Sequence, residues 1–229
     1  MKEIFPWQEF FDQDPALSSV VESVAMKIIL QHKNGLKSLL VTSAWPGEGK
    51  SSVAMHLAYR LSLTGLRTVF VDGDLRKPTA STLLGLDQTP GVANQLRTSA
   101  EAPTRSIGTN LWLLASGTDR EATLEALETR TFTRLLKNLE DRFDLVIVDS
   151  SPMAAGPDAA IMGQAIDKTL FVVSRKSFHG AAEGNFVEDL RDYGVELFGC
   201  VIVDWTDPTF NGKQSGWMHW LLRAAGLRR

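Results

Sequence analysis

One segment constrains the fold of this chain more than any other: residues 44–51 read AWPGEGKS. They follow a short, apolar, β-prone run at 38–43, and the residues after them show apolar positions at helical spacing. A glycine-rich loop that joins a strand to a helix opening with Lys-Ser is typical of phosphate binding. Gly47 and Gly49 let backbone N–H groups turn inward around an anion, and the helix that begins at Lys50 adds the positive end of its dipole. We therefore predict a phosphate loop at 44–51; an ordinary turn before a helix is the weaker alternative.

The residue types at the end of the phosphate loop indicate what it binds. The ammonium of Lys50 suits the β- and γ-phosphates of a nucleotide, and the hydroxyl of Ser51 is placed to ligate Mg²⁺. Backbone groups would complete the cradle. The predicted phosphate-binding set is Pro46, Gly47, Glu48, Gly49, Lys50, Ser51 and Ser52. The sequence thus predicts a magnesium-bound nucleoside triphosphate as ligand.

Two apolar strands end in acids. Residues 68–71 precede Asp72, and residues 145–148 precede Asp149. Further strands are predicted at 169–173 and 198–203, and further helices at 121–141 and 181–193. Alternating strands and helices predict an α/β fold, a P-loop NTPase-like, mostly parallel β-sheet with helices on both faces. Because ligands of such sheets bind beyond the carboxyl ends of the strands, the phosphate loop and the acids are expected to converge there.

The acids have a plausible chemical task at that edge. An ionised Asp149 after a fully apolar strand needs a cation, and Mg²⁺ beside the phosphate loop would supply it. Asp72 and Asp74 flank a single glycine, so one carboxylate can hold the metal while another accepts a proton during phosphoryl transfer. For Asp149, the competing interpretation is an acid that caps the next turn. For Asp72 and Asp74, it is a solvated turn with ordinary surface charges.

Composition restricts the class of protein. The chain has 229 residues, 44% hydrophobic and 22% charged, which suits one large α/β domain. A net charge of −3 argues against nucleic acid as a partner. The single cysteine, Cys200, cannot form an internal disulfide, and its apolar surroundings predict a buried strand residue. Residues 1–11 lack the pattern of a secretion signal, and no apolar run approaches the roughly 18 residues of a membrane span. We expect a soluble protein of the reducing cytoplasm.

Three regions are predicted along the chain: an N-terminal helical extension at 1–37, a P-loop nucleotide-binding domain at 38–207, and a basic amphipathic tail at 208–229. The extension begins its helix near Pro15. The tail has no acid, and its basic residues accompany tryptophans and leucines. It is predicted either to contact an anionic membrane or a membrane protein, or to pack on its own domain; the composition favours neither.

Taken together, the motifs resemble the cytoplasmic ATP-binding domain of bacterial tyrosine kinases, the BY-kinase or CpsD/CapB type associated with capsule and exopolysaccharide synthesis. The resemblance runs from about residue 36 to 204. It rests mainly on the motifs at 42–52, 69–78 and 145–152. Weaker marks are Leu84-Gly85-Leu86, Pro90-Gly91-Val92, Leu114-Ala115-Ser116-Gly117 and Asp158-Ala159.

The resemblance implies ATP and Mg²⁺ as ligands, a cytoplasmic location at the inner face of the membrane, and a membrane polysaccharide co-polymerase or adaptor as partner. The implied catalytic residues are Lys50, Asp72, Asp74 and Asp149. The implied metal ligands are Ser51, Asp72 and Asp149. Asp204, at the end of the last strand, takes the place of an Asn that contacts adenine in relatives, so a preference for guanine is the alternative to ATP.

Three further features of the chain leave alternatives open. Trp45 stands where related cell-division and partition ATPases have a signature lysine. The chain has only two tyrosines, Tyr59 and Tyr193, both within predicted helices and both expected to be packing residues, so no C-terminal cluster is available for autophosphorylation. Glu22 lacks the arginines of the family's assembly motif, which leaves self-association undecided. Tyrosine kinase activity toward another protein is the first hypothesis; a nucleotide-binding regulatory module and a MinD/ParA-like membrane-positioning ATPase are the others.

Overall fold

The computed structural model describes residues 15–86, 89–97, 101–118, 130–178 and 180–203. The predictions for Asp204 and for the tail at 208–229 lie outside these residues, as does the 121–129 part of one predicted helix. The strands are β1 (Ser38–Ser43), β2 (Thr68–Asp72), β3 (Arg105–Gly108), β4 (Leu111–Leu114), β5 (Leu145–Asp149), β6 (Lys168–Ser174) and β7 (Leu197–Val203). The helices are α1 (Pro15–His32), α2 (Lys50–Ser62), α3 (Thr79–Leu83), α4 (Val92–Gln95), α5 (Arg130–Arg142), α6 (Asp158–Gly163) and α7 (Ala181–Asp192), with a 3₁₀ turn at Met153–Ala155.

The described strands form one seven-stranded sheet in the order β3-β4-β2-β5-β1-β6-β7. Every neighbouring pair is parallel except β3 with β4, which is antiparallel. The predicted α/β, mostly parallel architecture is therefore confirmed. The antiparallel edge hairpin was not predicted, because each of its strands has only four residues and shows no clear periodicity.

Helices cover both faces of the sheet, as the continuous apolar strands require. Alternate residues of a strand enter different cores: Leu39 packs on the face covered by α1 and α2, whereas Leu40 packs on the face covered by α5, α6 and α7. Helix α1 buries Val21 and Ile28 in the first of these cores. The helix of the N-terminal extension thus shares its hydrophobic core with the phosphate-loop helix α2.

Two packing expectations are wrong. Cys200 is exposed on β7, which is the last strand at one edge of the sheet. Tyr193 is 45% exposed at the end of α7, whereas Tyr59 is only 8% exposed inside α2, as predicted. In the described part of the chain, no helix combines the length and the hydropathy that crossing a bilayer demands.

Candidate phosphate and metal site

The phosphate loop lies at the carboxyl edge of the sheet, between β1 and α2. Gly47 and Gly49 have φ angles of 86° and 88°, a left-handed conformation that glycine adopts at little cost. Gly49 is the N-cap of α2, so no side chain occupies the first N–H groups of the helix. Pro46 is exposed with Gly47 at the tip of the loop, and Ser52 is half-buried in the first turn of α2. These features suit backbone binding of an anion.

Lys50 points into a cluster of acids. Its Nζ lies 2.9 Å from Asp74 Oδ2 and 3.7 Å from Asp149 Oδ1, and it is 3.2 Å from the Ser51 hydroxyl. Burial by itself would lower the pKa of Lys50, but the charges of Asp149 and Asp74 outweigh it and raise the pKa above its ordinary value. Lys50 is therefore a charged group held by carboxylates.

Asp72 and Asp149 stand side by side at the ends of β2 and β5, where they are register partners, and both are fully buried. Burial raises the pKa of Asp72 to about 7, and the charge of Asp149 adds to the rise. Burial also raises the pKa of Asp149 to about 6, although Lys50 and Ser51 lie close enough to offset part of the effect. Neither oxygen of Asp149, nor Oδ1 of Asp72, has a hydrogen-bond partner among the described residues.

These buried oxygens fit a hard cation, which would coordinate the lone pairs that no hydrogen-bond donor occupies. Within the described ranges, no group of three or more His, Cys, Asp or Glu is arranged to hold a metal. Mg²⁺ commonly binds through one or two carboxylates and takes its other ligands from substrate phosphates and water. The donor set of Ser51, Asp72 and Asp149 is of this kind.

Asp72 is fixed by a serine that the sequence analysis missed. Both the backbone N–H and the hydroxyl of Ser81, at the start of α3, donate to Asp72 Oδ2 at 2.7 Å. Ser81 Oγ in turn accepts a hydrogen bond from the backbone N–H of Ser116 at 2.9 Å. Oδ2 of Asp72 is thus engaged, and Oδ1 is the oxygen available to a ligand. Ser116 belongs to one of the weaker family marks, and its backbone N–H supports the serine that holds Asp72.

Asp74 is a well-anchored acceptor. Besides Lys50, it accepts hydrogen bonds on Oδ1 from the backbone N–H of Lys77 at 2.9 Å and from the hydroxyl of Ser151 at 3.0 Å. Gly73, between the two acids, allows β2 to approach β5 closely, since a Cβ atom there would lie 2.6 Å from the carbonyl oxygen of Asp149. The spacing of the two acids therefore depends on the glycine between them.

An ion pair next to the acids joins the segment after Asp74 to α6. Arg76 donates to Asp158 from Nε at 2.7 Å and from Nη2 at 3.2 Å. The hydrogen bonds to Asp158 raise the pKa of Arg76. Asp158 also belongs to the weaker family marks, and its structural role is to fix this segment beside the site.

The side chain of Glu48 does not face the site. It is 1% exposed and accepts hydrogen bonds from the backbone of Trp45 and Ser174 and from the hydroxyl of Ser177. Only the main chain of Glu48 is available to the predicted phosphate. This role is not visible in the sequence, because two of the three residues that donate to Glu48 lie in β6 and in the connection that follows it, more than 120 residues away in the chain.

The chain is similar to known proteins over most of its length. The model of the family described as ATPase MipZ matches residues 38–175. The chain is 36% identical over 170 residues to tyrosine-protein kinase YwqD of Bacillus subtilis, covering 73% of this chain and 72% of that protein. It is 30% identical over 174 residues to tyrosine-protein kinase CpsD of Streptococcus pneumoniae, covering 73% and 75%. The solved kinase domain of the Escherichia coli tyrosine kinase ETK has the same fold, with a TM-score of 0.80 at 22% identity over 94% of this chain and 87% of that one.

Proposed function

Since this chain belongs to the family of bacterial tyrosine kinases, we propose that it transfers the γ-phosphoryl group of Mg-ATP to a tyrosine hydroxyl of another protein. One observation carries the proposal: Lys50, Asp74 and the two buried acids Asp72 and Asp149 meet at the mouth of the phosphate loop. A domain that only sensed nucleotide would have less need of three carboxylates around one lysine.

The metal would be held by the hydroxyl of Ser51, by Asp149 and by the free Oδ1 of Asp72. Bound there, Mg²⁺ would neutralise charge on the phosphates during transfer. The backbone of the phosphate loop and the N-terminus of α2 would orient the β- and γ-phosphates. Ser81 keeps Asp72 in place through its two hydrogen bonds.

Lys50 connects nucleotide binding to proton transfer. In this structure, its ammonium donates to Asp74 Oδ2. Phosphate oxygens would draw the ammonium away and leave Oδ2 of Asp74 without that donor, while Ser151 and the Lys77 N–H still hold Oδ1. Asp74 Oδ2 then takes the hydroxyl proton of the attacking tyrosine. At the same time the tyrosine oxygen bonds to the γ-phosphorus, and the bond between that phosphorus and the leaving ADP oxygen breaks.

The acceptor tyrosine lies on another molecule. Tyr59 is buried within α2. Tyr193 follows α7, a helix of 12 residues that starts on the side of the phosphate loop and extends about 18 Å away from it. Neither tyrosine of the chain is placed to reach its own Lys50.

The motif set resembles that of kinases associated with capsule and exopolysaccharide synthesis, which supports a role in regulating polysaccharide synthesis or export. We propose that the chain works in the cytoplasm, at the inner face of the membrane, through a polysaccharide co-polymerase or adaptor. The basic tail at 208–229 would strengthen this association by contacting anionic lipid.

The test is transfer of labelled phosphate from ATP, in the presence of Mg²⁺, to candidate partner proteins. Wild type should yield phosphotyrosine, and Asp74→Asn should abolish it while nucleotide still binds. Asp144→Asn is a matched control. Asp144 immediately precedes β5 and pairs with Arg67, so it lies at the end of that strand opposite to Asp149. Label that appears only as free phosphate would contradict kinase activity.

A second candidate is a nucleotide-dependent switch that hydrolyses ATP slowly or not at all. The match to the model of an ATPase family favours it. In that case Lys50→Ala should abolish binding to the membrane partner, whereas Asp74→Asn should preserve it. A membrane-positioning ATPase would instead float with liposomes only when ATP is present.

A further inference from the structure

Trp45 connects the phosphate loop to a helix that is remote in sequence. Its indole N–H donates to Glu183 Oε1, in the first turn of α7, at 3.2 Å. Its ring meets Phe186 edge to face, with the ring centroids 5.5 Å apart and an interplanar angle of 82°. Related partition ATPases have a signature lysine at the position of Trp45. In this chain, the residue at that position contacts α7.

A second contact reinforces the first. The backbone N–H of Trp45 donates to Glu48 Oε2 at 2.8 Å, and Oε1 of the same carboxylate accepts from Ser174 N at 3.2 Å and from Ser177 Oγ at 2.9 Å. Glu48 and Glu183 are 1% and 3% exposed, so both carboxylates are withdrawn from water. The phosphate loop, the end of β6 and the start of α7 are therefore held together by buried polar contacts.

We propose that Trp45 and Glu183 are positioning residues for the nucleotide: from outside the site, they hold the phosphate loop in the conformation that receives the phosphates. The proposal rests on the nucleotide binding proposed above. Binding to a loop that is already ordered avoids the entropy loss of ordering it at the moment of binding. Glu183 would thus set the affinity for ATP without contacting it, and the groups that carry out transfer would be unaffected.

The experiment compares Glu183→Ala, Trp45→Phe and the double variant in the full chain. Trp45→Phe keeps an aromatic ring against Phe186 but removes the N–H donor. Each single change should raise the Kd and KM for Mg-ATP about three- to tenfold, the range expected for one hydrogen bond, with kcat within about twofold of wild type. The double variant should bind Mg-ATP no more weakly than the single variant with the higher Kd, because both changes remove the same hydrogen bond between Trp45 and Glu183.

Two further variants separate positioning from a general structural effect. Glu183→Gln should bind ATP as wild type does, since its amide oxygen still accepts from Trp45. Glu188→Ala, at an exposed position of the same helix, should also match wild type. Calorimetry gives the Kd, and thermal unfolding without nucleotide checks that each variant folds; if Glu183→Ala does not fold, Trp45→Phe and Glu183→Gln decide the outcome.

Unchanged affinity in Trp45→Phe and Glu183→Ala would overturn the inference, as would additive losses in the double variant or a Glu183→Gln protein as weak as Glu183→Ala. If wild type itself fails to bind Mg-ATP, the proposed function is overturned and this inference with it. The two failures are distinguished by the wild-type measurement alone.

Discussion

Lys50→Met should destabilise the nucleotide-free protein, beyond any effect on ATP binding. Methionine keeps the length and apolar stem of the side chain but removes the ammonium between Asp74 and Asp149. The side chains of Lys50 and Asp74 are 9% and 4% exposed, and that of Asp149 is fully buried. Removing one member of a buried ion pair costs about 3–5 kcal/mol, because it leaves an uncompensated charge. Asp74 keeps its bonds from Ser151 and the Lys77 N–H, so we expect about 3 kcal/mol.

Urea denaturation followed by circular dichroism, without nucleotide, measures this loss. The loss in the free energy of unfolding should reach its full value at pH 8. It should be smaller at pH 5, where Asp149, whose pKa is about 6, is already protonated. Lys50→Met combined with Asp74→Asn should recover part of the loss at pH 8, because one of the two unpaired acids is gone. Lys137→Met, at an exposed lysine near Asp141, should unfold like wild type. The reasoning is refuted if Lys50→Met is as stable as wild type at pH 8, or loses equally at both pH values.

Three further predictions concern the same edge of the sheet. The pKa of Asp72 rises to about 7 on folding, so the folded chain holds that proton more tightly, and this group alone should lower the free energy of unfolding by about 3 kcal/mol between pH 5 and pH 8; Asp72→Asn should remove this share of the pH dependence in urea titrations and leave the share of Asp149, and an unchanged slope would contradict the assignment. Ser81→Ala removes a donor to Asp72 and the acceptor of the Ser116 N–H, so the free energy of unfolding should drop by about 2–4 kcal/mol, and a loss below 1 kcal/mol would show that the network contributes little. Gly73→Ala places a methyl group 2.6 Å from the carbonyl oxygen of Asp149; it should lower the melting temperature by an amount equivalent to about 1–3 kcal/mol, and wild-type melting with wild-type Mg-ATP affinity would argue against the close approach.

Much of the sheet could be predicted from the sequence, because its central strands are buried on both faces and therefore appear as continuous apolar runs. The predicted strand at 38–43 matches β1, and the strands before Asp72 and Asp149 each extend by one residue to include the acid. The convergence of these acids with Lys50 followed from the topology of parallel sheets alone.

What could not be predicted depends on contacts between distant segments. Ser81 and Ser116 look like ordinary loop and helix residues in the sequence, and their roles appear only when α3 and the end of β4 meet beside Asp72. Glu183 sits in an amphipathic helix where an exposed glutamate would be equally natural. Cys200 was misplaced for a related reason: an apolar run predicts a strand, but it does not say whether that strand lies at the edge of the sheet.

The contact between Lys50 and Asp74 gives the ammonium a counterion from the protein itself. A triphosphate arriving there replaces one anionic partner of the ammonium with another, so loading and unloading involve an exchange of anions and leave no bare cation at either stage. Stray anions with a single weak charge would have to displace an anchored carboxylate, which favours ligands that bring several phosphate oxygens at once.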